Sequence, residues 1–560
     1  MLEVECSALT PESVLKASGH VDRFVDWMVK DMKNGECFRA DRLIKDNAEE
    51  LVKKKETAAE VKAELTCILN RLDGLNNKDM HEVITKYGFK SPSTGNDLSE
   101  PVSFDLMFPT KIGPTGDFKA YLRPETSQGI FTNFSRLLEL NQGKLPFAAA
   151  QIGVAFRNEI SPRQGLLRVR EFTMCEIEHF VNPVDKKHAK FSKVANVVMT
   201  LFTACDQVGS KGTKTMTIGE AVRQGIVDNE TLGYYMARTH LFLETVGVHK
   251  DKLRFRQHMS TEMAHYAKDC WDAECLTSYG WIECVGHADR ACHDLNSHSK
   301  ATGTKLQAVQ KLPESRREMI TKAVFSKAAL RQKFTTRQAK RIMVNVEGFD
   351  VEQLIELQAG LDGSSGYALK IDDDVFQLTK ELVEVKPVEC SVNIEVIVPS
   401  VIEPSFGVGR IMYTVLEHAF RQRNGDEQRL YLDLPSSIAP VKCAILTTRK
   451  REVFESLVDM VQEELSMHGH TYKVDDGAGS IGRGYARTDE IGIPFGVTID
   501  NKSRDVPHTV TLRHAQSMQQ IRLEITELGE LIEDLIKNRR RWVDVIEEFA
   551  VFGADAAEQN

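Results

Sequence analysis

Apolar and polar positions change period repeatedly along the chain. Residues 39–88 place apolar side chains at three- and four-residue steps among Lys, Glu and Ala, with few turn residues, and predict helices. Residues 91–180 switch to short runs broken by Pro and Gly, such as YLRPETSQGIF and LPFAAAQIGVAFRNEI, and predict strands. Helical spacing returns in KFSKVANVVMTLFTACDQV and LGYYMARTHLFLETVGV (190–248), and extended aromatic-rich segments in 253–298. A helical or mixed stretch follows, to about residue 385. From about residue 437 the order is regular: CAILTT as a buried strand, an amphipathic helix ending at Gly469, TYKVDD, FGVTID and HTVTLRH as strands, then a long helix from about Ala515 to Lys537. The pattern predicts an α+β architecture. An antiparallel-sheet domain over 1–436 carries helical insertions at about 39–90, 185–250 and 300–385, and an α/β domain covers 437–560.

One polar run stands out against this background. In FRNEISPRQGLLRVREFTMCEIEHF, period-2 alternation puts Gln151, Gly153, Ala155, Arg157 and Glu159 on one face of a first strand, with Ile152, Val154 and Phe156 on the other. The second strand shows Arg168, Arg170, Phe172, Met174, Glu176 and Glu178 on one face. Paired through the Pro/Gly loop, they form a hairpin with a functional face. Arginine forks suit phosphate oxygens, a phenylalanine offers a stacking surface, and small residues at 153 and 155 leave room for a flat ligand.

Two further stretches converge on this chemistry. EPSFGVGRIMYTVLEHAF reads as a strand, a glycine-eased turn and a helix opened by Arg410, whose charge adds to the positive end of the dipole. YLRPETSQGIF adds Glu125 beside a proline-stiffened turn; alone, that carboxylate would read as a surface group.

The chain has 560 residues, so several domains are expected, and its 42% hydrophobic and 27% charged residues are ordinary for a globular protein. No run reaches the roughly 18 apolar residues of a membrane span. The N-terminal residues lack a basic region followed by an apolar block, and eleven scattered cysteines fit reduced thiols, which points to the cytoplasm. A net charge of −9 argues against an overall nucleic-acid coat. Locally, eleven Lys/Arg against Glu314 and Glu318 between Lys305 and Arg341 form either a solvated helical face or a phosphate-tracking insert. His265, Cys270, Cys275, Cys284 and Cys292 match no zinc-ligand spacing and read as core residues. GAGSIGRG lacks the Lys-Ser/Thr of a phosphate loop. Arg539, Arg540 and Arg541 read as solvated charge at a helix end.

FRNE with its loop and following strand resembles motif 2 of a class II aminoacyl-tRNA synthetase, and EPSFGVGR resembles motif 3. RPETSQGIF and EFTMCEIEHF are similar to stretches peculiar to glycyl-tRNA synthetases of the eukaryotic type, and the similarity runs through GSIGRGYARTDEIGIPFGVTID near the C-terminus. The resemblance implies ATP with Mg2+ as co-substrate, no zinc, and glycine and tRNA(Gly) as partners, with no membrane. Arg157 would hold the α-phosphate, Glu159 the adenine side, Arg168 the outer phosphates, and Phe172 would stack on adenine. Arg410 would cover the other face and the γ-phosphate, making Arg157 and Arg410 the catalytic pair, while Asn158, Val169, Glu283 and Cys284 complete the nucleotide site and Glu283 carries the magnesium. Glu125, Glu176, Glu403, Pro404 and Ser405 would take glycine.

The implied reaction is attack of glycine's carboxylate on the α-phosphorus of ATP, then transfer to the terminal adenosine of tRNA, with diadenosine tetraphosphate as a side product. Positioning and cationic charge drive such chemistry, so no protein nucleophile is needed. No editing domain is expected, since glycine has no smaller competitor. The family's homodimer forms through a motif 1 helix preceding MLEVECSAL, which resembles the strand half alone; a weak dimer or an aggregate is therefore expected of residues 1–560, less active than a version extended upstream, with a mitochondrial form where an upstream extension exists. A non-catalytic binding module on the same fold, like the accessory subunit of mitochondrial DNA polymerase, is the rival. Such modules lose the motif 2 and motif 3 arginines, and Arg157, Arg168 and Arg410 are present here.

Overall fold

Alternating side chains build the main sheet. Among the described residues its strands are β1 (Leu2–Glu3), β2 (Phe147–Phe156), β3 (Glu171–Val181), β4 (Val198–Phe202), β5 (Lys214–Thr217), β6 (Leu253–Gln257), β7 (Asp269–Thr277), β8 (Gly280–Ala291) and β9 (Ser400–Gly407). They lie in the order β1-β2-β3-β9-β8-β7-β6-β4-β5, antiparallel except for β1–β2 and β4–β6. The computed structural model describes the chain apart from residues 163, 210, 261, 262, 264–266, 364, 365, 373, 550 and 553–560, so His265 lies outside the described residues. It divides into two units: Met1–Gln142, Pro146–Leu306 and Val398–Asn560 form the first, Gly143–Leu145 and Gln307–Ile397 the second.

The two faces of the main sheet have different occupants. Behind it, Phe255, Trp271, Ala273, Cys275, Cys284 and Val285 pack against helix Glu230–Thr245 and helix Val408–Ala419 through Met236, Leu243, Ile411 and Val415. On the other face, β3 presents Phe180, Glu178, Glu176, Met174 and Phe172 in succession. Phe180 closes one end, in ring contact with Phe131, Phe134 and Phe147 at 6.5, 5.0 and 4.9 Å. Phe131, Phe134 and Phe180 are fully buried, each contributing about 1.5–3 kcal/mol by area. The sheet face is thus sealed by apolar rings at one end and open at the other.

Residues 39–90 form the predicted helices, Ala40–Lys53, Ala59–Asn70 and Asn77–Tyr87, the last begun by a capping box between Asn76 and Asp79 and ended by Gly88 at φ 63. In 185–250 the expectation of helices holds only in part. Helix Glu230–Thr245 is present, but VMTLF is strand β4 at the far side of the main sheet. Met199 and Leu201 alternate into the core, a two-residue repeat that also satisfies the helical spacing of its neighbours.

The insertion at 300–385 is corrected further. The second unit is a two-stranded ribbon, Ala308–Phe325 against Val383–Ile397, leading to helices Lys327–Lys333, Thr336–Glu347 and Val351–Asp362 and a hairpin of Tyr367–Ile371 with Asp374–Leu378. Leu330, Ile342, Val346, Leu357, Leu369, Phe376 and Leu378 form its core. The first half of the basic stretch is therefore strand, and Lys311, Arg316, Arg317 and Lys322 ride on it.

The C-terminal sheet runs Tyr472–Val474, Cys443–Thr447, Phe495–Ile499, Thr509–His514, Gln520–Glu524 and Val551–Phe552, as an α/β arrangement with helices Glu455–Met467, Ile481–Glu490 and Ile525–Ile536. The long helix expected from Ala515 begins only at Ile525, because Ile521 and Leu523 alternate into the core as a strand. Glycines of GAGSIGRG serve packing: a Cβ on Gly477 would run into the Arg487 guanidinium. Arg539, Arg540 and Arg541 are paired, with Asp534, Glu548 and Asp544, rather than merely solvated.

A buried ionic triad joins this sheet to the hairpin Phe420–Arg423/Asp426–Leu432. Asp489 accepts from Arg513 at 2.8 and 3.0 Å and from Arg423 at 2.9 Å, and Arg423 also donates to the carbonyls of Gln516 and Ala515. Asp489→Ala would leave two guanidinium groups buried without their counter-charge. We expect about 3–5 kcal/mol lower stability, read from the urea transition by circular dichroism; a loss under about 1 kcal/mol would mean that the arginines reach water instead.

Candidate active site

Strand register assembles the site. One row of paired residues crosses β2, β3, β9, β8, β7 and β6 in turn as Gln151, Glu176, Ser405, Gly286, Asp272 and Arg256. Glu176, buried at its centre, accepts hydrogen bonds from Thr126 N and Oγ1 at 2.7 Å each, Ser127 N at 2.8 Å and Ser405 Oγ at 3.0 Å. Burial and the neighbouring Glu125 push its carboxyl up, and the four donors oppose that push.

Glu125 sits in the turn that Glu176 clamps. Its Oε1 accepts from Ser127 Oγ at 2.6 Å and Gln128 Nε2 at 2.9 Å, its Oε2 lies 3.3 Å from His20 Nε2, and Arg290 Nη2 is 3.8 Å away. Burial disfavours its charge, but His20 and Arg290 hold the carboxyl well below the usual range. Arg290 Nη1 donates to Glu403 Oε2 at 2.7 Å, and its other donors bind Asp294 at 2.7 and 3.0 Å. Burial, with Glu176 and Glu125 nearby, pushes Glu403 up to about 8 despite Arg290. The closed end is an acidic floor with one guanidinium in it.

The open end is cationic and aromatic. The Arg157 guanidinium lies 5.3 Å from the Phe24 ring and 5.4 Å from the half-buried Phe172 ring, and its Nε donates to Pro124 O at 3.3 Å. Arg410, third in helix Val408–Ala419, donates from Nη1 to the Glu283 carbonyl at 2.9 Å and lies 3.2 Å from its Oε2. Glu283 and Arg410 remain partly open, with side chains 52% and 37% exposed. Beside them Asp272 Oδ2 pairs with His258 at 2.8 Å and Arg256 at 3.3 Å. An acidic floor with a cationic and aromatic rim has the charges to take a zwitterion joined to a nucleotide.

The profile of the family "tRNA synthetase class II core domain (G, H, P, S and T)" matches residues 114–271, and that of "Anticodon binding domain" matches 442–535. A glycine–tRNA ligase of Caenorhabditis elegans is 59% identical over 559 residues, covering 100% of this chain and 75% of the relative. The chain belongs to the glycine–tRNA ligase family. A glycine–tRNA ligase of Bombyx mori is 52% identical over 552 residues (99% and 75%), and glycine–tRNA ligase 2 of Saccharomyces cerevisiae 45% over 543 residues (96% and 87%).

Within this glycine–tRNA ligase fold, several expected residues are placed differently from the strand reading. β2 ends at Phe156 and β3 starts at Glu171, so Arg157, Asn158, Glu159, Arg168 and Val169 all belong to the connecting segment. Backbone bonds from Arg157 N to Arg170 O and Asn158 N to Leu106 O continue the pairing without a regular strand. One Glu159 oxygen is buried without a partner. Burial and the neighbouring Arg42 and Arg39 push Arg168 down, which aligns it with the cationic edge of the helical insertion. The Cys284 thiol is buried behind the sheet, 3.6 Å from Thr414 Oγ1, so it does not reach the open face. Pro404 is buried opposite His287. Among the described residues no cluster of three or more His, Cys, Asp or Glu is arranged to hold a metal ion.

The space expected above Gly153 is also taken. Arg123 lies over it, donating to Val154 O at 2.8 Å and Cys6 O at 2.7 Å, and a Cβ at 153 would collide with its Nη2. Residues that sequence reasoning passed over are His20, Arg290 and Asp294. Arg290 in GHADRACHDL carries a signal, a cation inside a strand-like run with Asp294 four residues on, but Glu403 and Glu125, its partners in the site, are remote in sequence. Gly153→Ala should displace Arg123 and lower stability by about 1–3 kcal/mol, measured as the urea midpoint; an unchanged midpoint would mean that the guanidinium moves aside freely.

Proposed function

We infer that the chain attaches glycine to tRNA(Gly) in an ATP-dependent reaction through a glycyl-adenylate. The observation that carries this reading is the acidic group Glu125, Glu176 and Glu403 on the sheet whose open end carries Phe172, with Arg157 against that ring and Arg410 on Glu283, in a member of the glycine–tRNA ligase family. Glu125, Glu176, Glu403 and Ser405 would hold the ammonium end of glycine, with Pro404 fixing β9. Its carboxylate oxygen then attacks the α-phosphorus while Arg157 neutralises the developing charge, and pyrophosphate leaves towards Arg168 and Arg410. Phe172 offers its ring to adenine, with Asn158, Glu159, Val169 and the Cys284 backbone around the nucleotide. A hydroxyl of the terminal adenosine of tRNA then attacks the glycyl carbonyl, releasing AMP.

Glu283 fits Mg2+: a half-exposed carboxylate with one cationic partner can add a single oxygen to those of phosphates and water. When bound, the ion would neutralise phosphate charge. Free thiols at all eleven cysteines support a reducing compartment, and we assign the cytoplasm. The C-terminal α/β region 437–560 would receive the anticodon stem-loop, and 1–436 would carry the chemistry.

ATP–pyrophosphate exchange with each of the twenty amino acids tests the assignment, with glycine alone expected to support it. Arg157→Ala should reduce glycine-dependent exchange by about 100-fold or more with the fold intact. Exchange within a few-fold of the unsubstituted chain would remove Arg157 from the reacting phosphate.

The ribbon supports a second contact with tRNA. Its Arg317 is exposed and paired only loosely with Glu389 at 3.6 Å. Reversing the charge of Arg316, Arg317 and Arg331 together should lower the slope of log affinity against log salt by about 2. An unchanged slope would return these residues to a solvated role.

A further inference from the structure

Glu178 has no place in the reading above. It lies two residues from Glu176 on the same face of β3, fully buried, and neither of its carboxyl oxygens has a hydrogen-bond partner. The pairs Ser405–Glu176 and Ile402–His179 put Glu403 directly across the ladder from it. On its other side the register brings only Ala149. Like charges facing each other across a strand pair repel, and both side chains here are buried.

The charged groups facing this pair are few. Glu176 lies on Glu178's own strand, Glu125 on the clamped turn, Arg290 on β8, and Asp294 on helix His293–Thr302. Tyr235 approaches from helix Glu230–Thr245, and burial keeps its hydroxyl neutral. The Cys270 thiol on β7, pushed up to about 12 by burial, stays neutral too. Arg290, bound to Glu403 and Asp294, also draws Glu178 down, but burial and the charge of Glu403 outweigh it. Burial and mutual repulsion push Glu178 well above the usual carboxyl range, in the same direction as Glu403.

We propose that Glu178 and Glu403 share one proton in the empty enzyme, and that the ammonium group of bound glycine displaces this proton to solvent. The proposal rests on the reading of Glu403 as part of the ammonium floor. In the step, one carboxylic O–H bond breaks, the buffer accepts the proton, and the ligand's fixed positive charge takes its place; no bond of the ligand changes. Two opposed carboxyls titrate as a pair, so the proton belongs to both. Glu178 is then a positioning residue that sets how many negative charges the floor presents before and after the substrate arrives.

Titration calorimetry of the full chain with 5′-O-(glycylsulfamoyl)adenosine, in buffers of different ionisation enthalpy, tests this. The unsubstituted chain should release close to one proton per site at pH 7. Its Kd should fall about tenfold per pH unit between pH 6 and 7, since deprotonation is easier as pH rises towards the value of about 8 for Glu403. In Glu178→Gln the amide faces Glu403 without a proton to share. Glu403 stays raised by burial, Glu176 and Glu125, so proton release should fall clearly below that of the unsubstituted chain and the pH dependence of Kd should weaken. Infrared difference spectra of the unsubstituted chain should lose a carboxylic-acid carbonyl band on binding, whether or not the variant folds. Binding without proton release, or equal release from Glu178→Gln, or no infrared change, would each overturn the proposal. Glu403→Gln separates the two readings: unaltered affinity there would overturn the ammonium floor itself, whereas lost affinity with unaltered release from Glu178→Gln would overturn the shared proton alone.

Discussion

A single buried carboxylate holds the site together. Glu176 on β3 receives donors from the turn at Thr126 and Ser127 and from Ser405 on β9, segments that are distant in sequence. A charge removed from water is costly unless its hydrogen-bonding capacity is filled, and here four donors fill it. The same bonds fix the turn that carries Glu125 and therefore the spacing of the acidic floor. Remove the clamp and the Phe131–Phe134–Phe180 seal would still close the sheet's end, but the turn that carries Glu125 would lose its tie to β3.

This arrangement also explains why a buried cluster of acids can persist in a folded protein. Arg290 reaches Glu403, Asp294 and the edge of Glu125, and His20 reaches Glu125 from the other side. At the open end the balance reverses, with Arg157 against two aromatic rings and Arg410 against Glu283. The polarity along β3, from sealed and negative to open and positive, matches a substrate whose ammonium enters first and whose phosphates stay near solvent.

Much of this was legible in the chain itself. Phe172 and Glu176 were readable because a strand converts a two-residue repeat directly into a shared face, whereas Ser405 was named only through the resemblance of EPSFGVGR to motif 3. Arg157 and Arg168 were identified by residue type, yet the strand reading misplaced them, since a segment of irregular backbone obeys no period. Gly153 was misread because the group that fills its space, Arg123, is fixed by bonds to Val154 and Cys6 that no local pattern announces. His20 and Arg290 were missed for the same reason: their partners in the site, Glu125 and Glu403, lie far away in sequence and meet them only in the fold. VMTLF and QIRLE were taken as helix because a few apolar residues satisfy either period, and only burial of Met199, Leu201, Ile521 and Leu523 decides between them.

The Arg423–Asp489–Arg513 triad has a mechanical side. Arg410 opens helix Val408–Ala419, and the hairpin bearing Arg423 follows that helix without a break. Asp489 in turn ends a helix of the C-terminal sheet region. A helix of this length is about 18 Å of stiff rod. The residue that would meet the nucleotide's phosphates and the anchor of the C-terminal region are thus two ends of one lever. A tilt at one end would displace the other, so this stiff connection links the two regions by a route that bypasses the sheets.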